Sequence, residues 1–239
     1  MEKPVLFEVE DGVAIITLNR PHRRNAINQA LLTHLYEYID EVTEDDSIRV
    51  AILTGNGKSF CSGIDLDVVL MENLADPRGD GKDLPDIIDR CKKPIIGAIN
   101  GHAITGGLEI ALNCDFLIAS ENASFADTHI NMGVHPGWGM IQLLRQTIGP
   151  RMTKQMSLSG EHISAEKALR WGLVNEVVPH DRLLSRAKQI ANGMRAANQD
   201  ILRMMKNLIE YGDRSTVEEA IAHERRSFKE FAITHLMRE

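Results

Sequence analysis

Cysteine is scarce in this chain and its spacing offers no pairing. Cys61, Cys91 and Cys114 form an odd set without a CxxC motif, which argues against a disulfide framework or zinc site and fits free thiols in a reduced compartment. An excess of basic residues is also missing. A formal net charge of −7 and a pI near 5.7 argue against a sequence-independent binder of nucleic acid, which needs Lys and Arg to neutralise phosphates. Long apolar runs are absent as well. No uncharged stretch approaches the roughly 20 residues that span a bilayer, and the opening MEKPVLFEVEDG lacks the basic-then-apolar pattern of a signal segment. A cytoplasmic chain with no membrane or nucleic-acid partner is the expectation. Walker A, HExxH and GxSxG motifs do not occur. Gly137-Trp138-Gly139 opens like a dinucleotide fingerprint, but Gln142 stands where the third glycine belongs.

What is present suits a packed core. Hydrophobic residues make up 43% of 239 positions, enough for one domain with a helical appendage. Residues 6–10 and 13–18 read as strands joined by an Asp11-Gly12 hairpin turn. A basic loop over 19–25 follows. Asn28 then caps an amphipathic helix whose apolar positions are Leu31, Leu32, Leu35, Ile39 and Val42. Residues 50–53 read as a buried strand, 54–58 as a glycine turn and 60–66 as a tight connection. The polar, glycine-rich segment 72–83 reads as a mobile rim or lid.

Residues 93–139 carry the chemistry. A β-branched run at 95–99 reads as a buried strand, Thr105-Gly106-Gly107 as a turn and 108–112 as a helix start. The first N–H groups of a helix lack intrahelical partners, so a developing oxyanion has donors there. Glu109, three residues after Gly106, would face the same group as the Gly106 N–H. Its alternative role is to complement the helix dipole, although with Thr105 as N-cap the capping-box Glu belongs at position 108, which is Leu108. Cys61 reads as a small buried apolar residue rather than a nucleophile. Further on, helices are expected at 137–148 and 152–158 with a turn at Gly149-Pro150. Ser164 caps another that Gly172 ends, a strand follows at 174–178, and helices run over 182–197, 200–211 and 215–235.

The stretches NRPHRRNAIN, SFCSGIDL, IIGAINGHAITGGLEIALNCDFLIAS and SGEHISAEKALRWGLVNEVVP, in that order, resemble the crotonase, or enoyl-CoA hydratase/isomerase, superfamily over nearly the whole chain. The resemblance implies an α/β fold, a spiral of ββα units over 1–180 holding the active site. A helical region over 181–239 would pack trimers or dimers of trimers. It implies an acyl-CoA thioester substrate, with coenzyme A as part of the substrate and no separate cofactor or metal. The oxyanion donors would be the backbone N–H groups of Ser62 and Gly106, and Arg24 with the backbone of Ser62, Gly63, Ile64 and Asp65 would lie along the CoA. Hydratases of the family carry two glutamates. The first matches Glu109, but the second falls in FADTHINMG and is His129, with Asp127, His102 and His135 as other groups able to serve. Hydration by Glu109 and His129, a one-base reaction such as isomerisation, and acyl-CoA binding without turnover are the three readings. Trp138 adds bulk where family members are small. The chain ends at THLMRE, where the family's final segment continues.

Overall fold

In a computed structural model, residues 3–235 are described. Strands β1 (Val5–Glu10) and β2 (Val13–Leu18) form the expected antiparallel hairpin. Helix α1 (Gln29–Glu44) begins at Asn28, whose side chain accepts the Leu31 N–H at 3.0 Å. Its predicted apolar stripe is fully covered. Strands then alternate between two sheets. From the pair β3 (Val50–Gly55) and β4 (Ser59–Cys61), the first enters a six-stranded sheet and the second a four-stranded one. Helix α2 (Leu84–Arg90) follows them. The step repeats with β5 (Ile95–Ile99) and β6 (His102–Ile104), followed by helix α3 (Gly106–Leu112). It repeats again with β7 (Phe116–Ser120) and β8 (Ser124–Ala126), followed by helix α4 (His129–Met132). Within each sheet these successive strands pair in parallel, which is the spiral of ββα units.

Helix α2 went unread in the sequence although Asp83 and Asp86 form a reciprocal capping box at its start. The segment before it, expected to be a mobile rim, is tied to α1. The Gln29 side chain donates to the Pro77 carbonyl at 2.9 Å, and Arg78 pairs with Asp40 at 2.6 Å.

Helix α5 (Met140–Ser159) starts three residues later than the sequence indicated, and Gly149, at φ 76° and ψ 164°, breaks it at the predicted turn. Strand β9 (Ile163–Ser164), helix α6 (Ala165–Trp171), strand β10 (Glu176–Val178) and helix α7 (Leu183–Ala196) follow. The period-2 pattern of the central strands explains the layering. Ala51 and Leu53 face the α1 and α3 side, while Val50 and Ile52 pack with Leu183, Ala187 and Ala191 of α7. Because α7 covers this sheet face, the compact unit runs to Ala196, beyond the boundary drawn on the sequence at 180. Leu183, at the start of α7, is therefore part of the core. The second unit, Ala197–Glu239, contains helices α8 (Gln199–Asp213) and α9 (Val217–His235). The final residues of THLMRE lie outside the described residues. None of the described helices is long and apolar enough to cross a membrane.

Candidate active site

The site is built where β6 turns into α3. Thr105 takes φ 51° and ψ −114°, a rare conformation for a β-branched residue. It is held there by its N–H donating to the Ala126 carbonyl at 2.8 Å and by its hydroxyl, 2.5 Å from that of Thr128. The hydroxyl is thus committed to Thr128 and does not cap the helix. Gly107 follows with no room for a side chain, since a Cβ would lie 2.1 Å from the Cys61 carbonyl oxygen. The start of α3 consequently rests directly on β4.

Glu109 is 3% exposed. Its Oε1 accepts the Trp138 N–H at 2.8 Å and the Met140 N–H at 3.4 Å. The carboxylate does not enter a capping box; it organises residues 138–140. This explains the late start of α5, because Gly139 adopts φ 94° while the amides on either side turn to Glu109. Burial pushes the Glu109 carboxyl above the ordinary carboxylate range, against the lowering effects of the Trp138 N–H, the His129 charge and the Met140 N–H. A carboxylate raised toward neutral pH is the better general base there.

The other Glu109 oxygen, Oε2, lies 3.8 Å from His129 Nε2. His129 is also buried, and its Nδ1 sits 2.7 Å from Asp127 Oδ1, which additionally accepts the His129 backbone N–H at 3.3 Å. Burial works to raise the Asp127 pKa, but hydrogen bonds such as that from His129 outweigh it and hold the carboxyl below its ordinary range. An ionised carboxylate only accepts, so Nδ1 carries the hydrogen and Nε2 faces Glu109. His102 and His135 are exposed, with partners at the Ser124 hydroxyl and the Pro136 carbonyl. The structure thus brings together Glu109, His129 and Asp127 and leaves those two histidines outside.

The second wall is the 62–65 turn, held by the basic loop. Arg20 pairs with Asp65 at 2.9 Å, and the Asn25 side chain donates to the Ser59 carbonyl at 2.8 Å. Arg24 and Asn25 both take positive φ, which aims the Arg24 carbonyl at the Ser62 N–H, 3.1 Å away. That bond takes the Ser62 N–H out of the oxyanion role expected for it. The Ile27 N–H donates to the Gly63 carbonyl, and the Asp65 N–H to the Ile27 carbonyl, each at 2.8 Å. The intervening Ile64 N–H points to the opposite side. Gly63 lies against the start of α3, since a Cβ there would be 3.7 Å from the Gly106 nitrogen. The Asp65 carboxylate is buried and committed to Arg20, whereas Arg24 is exposed. Cys61 is fully buried and its thiol is pushed up to about 12 by burial, which disqualifies it as a nucleophile. Among the described residues no group of three His, Cys, Asp or Glu side chains is placed to hold a metal ion.

Sequence reasoning missed the amides of Trp138 and Met140 and the Ser62–Arg24 bond. No local signal announces them, because the partners are remote in the chain.

A sequence profile described as enoyl-CoA hydratase/isomerase matches residues 8–239. The chain is 38% identical to a probable peroxisomal enoyl-CoA hydratase 1 of Arabidopsis thaliana, covering 89% of this chain and 82% of that protein. It is 36% identical to a short-chain-enoyl-CoA hydratase of Clostridium acetobutylicum, covering 95% and 88%. Among solved structures, an enoyl-CoA hydratase from Bacillus anthracis superposes with a TM-score of 0.87 at 32% identity, covering 95% of this chain and 90% of that one. A monofunctional enoyl-CoA isomerase from Mycobacterium smegmatis gives 0.79 at 32% identity, covering 92% and 98%. The chain belongs to the enoyl-CoA hydratase/isomerase family.

Proposed function

We propose that this protein adds water across the double bond of a 2-enoyl-CoA thioester to give the 3-hydroxyacyl-CoA, with Glu109 and His129 sharing the proton work. The observation that carries the reading is the 3.8 Å approach of Glu109 Oε2 to His129 Nε2 in a buried site beside Gly106. A water oxygen about 2.8 Å from each atom would be within hydrogen-bond reach of both, at an angle of about 85°. Hydration needs one proton taken from water and one delivered to carbon, and a pair holding a single proton does both. Glu109 takes the proton as the water oxygen bonds to the β-carbon. The alkene electrons move toward the thioester carbonyl, giving an enolate, and the α-carbon then takes a proton from Nε2 of the His129 imidazolium. The proton ends on Glu109 and returns to His129 before the next cycle.

The enolate oxygen would rest on the N–H groups of Gly106 and Ile64, with Ile64 replacing Ser62 in that role. Removing one such donor typically costs about 10² to 10³ in rate. Arg24 and the backbone of 62–65 would hold the CoA portion, with coenzyme A entering as part of the substrate and no separate cofactor. Hydration is favoured over isomerisation because a second proton carrier faces Glu109. The test is turnover of crotonyl-CoA by the wild type, Glu109→Gln and His129→Ala, each checked for folding and ligand binding. Both variants should lose about 10² to 10⁴ in kcat. Near-wild-type hydration by folded His129→Ala would overturn the two-residue mechanism. A wild type inactive toward every enoyl-CoA tested for water addition and double-bond migration would overturn the reaction itself.

The assembly proposed is a trimer or dimer of trimers. Met205 and Ile209 on α8 and Phe228 and Ile233 on α9 are each more than half exposed, apolar surface that a second copy would cover. Sedimentation as a monomer at micromolar concentration would reject this.

A further inference from the structure

His129 stands between two carboxylates that do different work. Glu109 touches the face where substrate reacts, whereas Asp127 sits behind the ring, its Oδ1 holding both Nδ1 and the backbone N–H of the same histidine. Asp127 is 1% exposed and lies immediately after β8, at the point where the chain turns into α4. Its distance to Nδ1, 2.7 Å, is that of a charge-assisted hydrogen bond. Without an acceptor there, the imidazole would be free to carry its single neutral-state hydrogen on either nitrogen. An imidazolium in this buried place would also lack a counter-charge whenever Glu109 is protonated, and an unpaired buried charge is costly. That moment occurs in every proposed cycle, as Glu109 takes the proton of water.

We propose that Asp127 is the positioning residue of the reaction: it locks His129 as the Nδ1–H tautomer with Nε2 aimed at Glu109 and supports the imidazolium that donates to substrate. The inference rests on the hydration reading above and deepens it. The residue never needs to touch substrate, because it acts through the ring. The relay runs Asp127, His129, Glu109, with one titratable group on each side of the imidazole. The charged residues of α5, which packs on α4, are Arg145, Arg151 and Lys154, and all three are solvent-exposed. Thr105, Thr128 and the Ala126 carbonyl tie the strand end carrying Asp127 to the start of α3. The dyad and the Gly106 N–H are therefore held in one rigid frame.

Two measurements test the inference. First, ¹⁵N NMR of the histidine-labelled full-length protein, with the His129 signal assigned by its loss in His129→Ala, is recorded at a pH where the ring is neutral. It should show hydrogen on Nδ1 and a bare Nε2; the opposite tautomer overturns the proposal without any change at Asp127. Second, crotonyl-CoA hydration is followed in Asp127→Asn and Asp127→Ala, alone and combined with His129→Ala. Each single variant should lose about 10² to 10⁴ in kcat with KM little changed, Asn losing less because it keeps a neutral acceptor. In the His129→Ala background the Asp127 changes should cost nothing further, since their route to the substrate is gone. If His129→Ala is inactive while folded Asp127 variants keep wild-type kcat, the positioning role fails and the hydration reading stands. If His129→Ala is itself near wild type, the two-residue reading fails first. An undiminished cost of Asp127 replacement in the double variants would mean that it acts on the fold rather than through the ring, and would also overturn the proposal.

Discussion

Replacing Gly107 by Ala pits local preference against tertiary contact. Gly107 has an ordinary helical conformation, and Ala is favoured over Gly in a helix by about 1 kcal/mol. Against that, the new Cβ would stand 2.1 Å from the Cys61 carbonyl oxygen, 2.7 Å from its carbon and 2.8 Å from Cys61 Cβ. These are atoms of a buried strand, not the end of a flexible side chain, and they cannot swing aside. The start of α3 must retreat from β4 by roughly 1 Å to restore van der Waals contact, and interiors packed this densely resist such shifts. Overpacking of this kind costs about 1–3 kcal/mol, so the net effect is destabilising despite the better helix former. Function should suffer more than stability. The Gly106 N–H moves with the helix, away from the 62–64 turn, and a misplacement of about 1 Å at a reacting centre costs on the order of 10²-fold in rate. The assay pairs thermal unfolding with kcat for crotonyl-CoA hydration. Gly193→Ala is the control: it lies inside α7 and, apart from its chain neighbours and its own helix backbone, has no heavy atom within 4 Å of where its Cβ would stand, and should raise stability with kcat unchanged. A Gly107→Ala protein as stable and as active as the wild type would refute the claim that this close approach sets the oxyanion geometry.

The Glu109→Gln protein should be more heat-stable than the wild type by a margin that grows with pH. Burial raises the folded-state pKa of Glu109 above its ordinary value, so its favourable contribution is full below the unfolded pKa and is lost as pH rises through the folded one. Gln stays neutral and keeps an acceptor for the Trp138 N–H; melting temperatures from about pH 4 to about pH 8 that differ by a constant amount, or in the opposite sense, would contradict this. Arg24→Ala should weaken acyl-CoA binding and flatten its salt dependence, because exposed charge pairs are screened; unchanged calorimetric titrations at low and high salt would remove Arg24 from the site. Trp138 lies beside Gly106, where a Cβ would be 3.8 Å from its Cζ3. Trp138→Ala should therefore raise kcat/KM for longer 2-enoyl-CoA esters relative to crotonyl-CoA, and an unaltered chain-length profile would show that the ring does not bound the acyl pocket.

What was legible in the sequence was most of what repeats or caps locally, with α2 and its Asp83–Asp86 capping box the exception. The β1–β2 hairpin, the α1 stripe from Leu31 to Val42, the break at Gly149 and the three-residue spacing of Gly106 and Glu109 follow from backbone periodicity and turn chemistry over a few residues. The family motifs singled out His129 as the residue standing where hydratases of the family carry their second glutamate. The three-residue strands β4, β6 and β8 are too short to show a period, and only pairing with one another makes them strands. The fate of individual hydrogen-bonding groups was equally invisible. That the Ser62 N–H is taken by Arg24, that Glu109 is held by amides at 138 and 140, and that Asp127 fixes the ring of His129 depend on where remote or turning segments come to rest. A backbone N–H carries one hydrogen, and a buried carboxylate must find its donors wherever the fold brings them. Residue types thus set which groups could react, while the tertiary structure decided which of them remain free to do so.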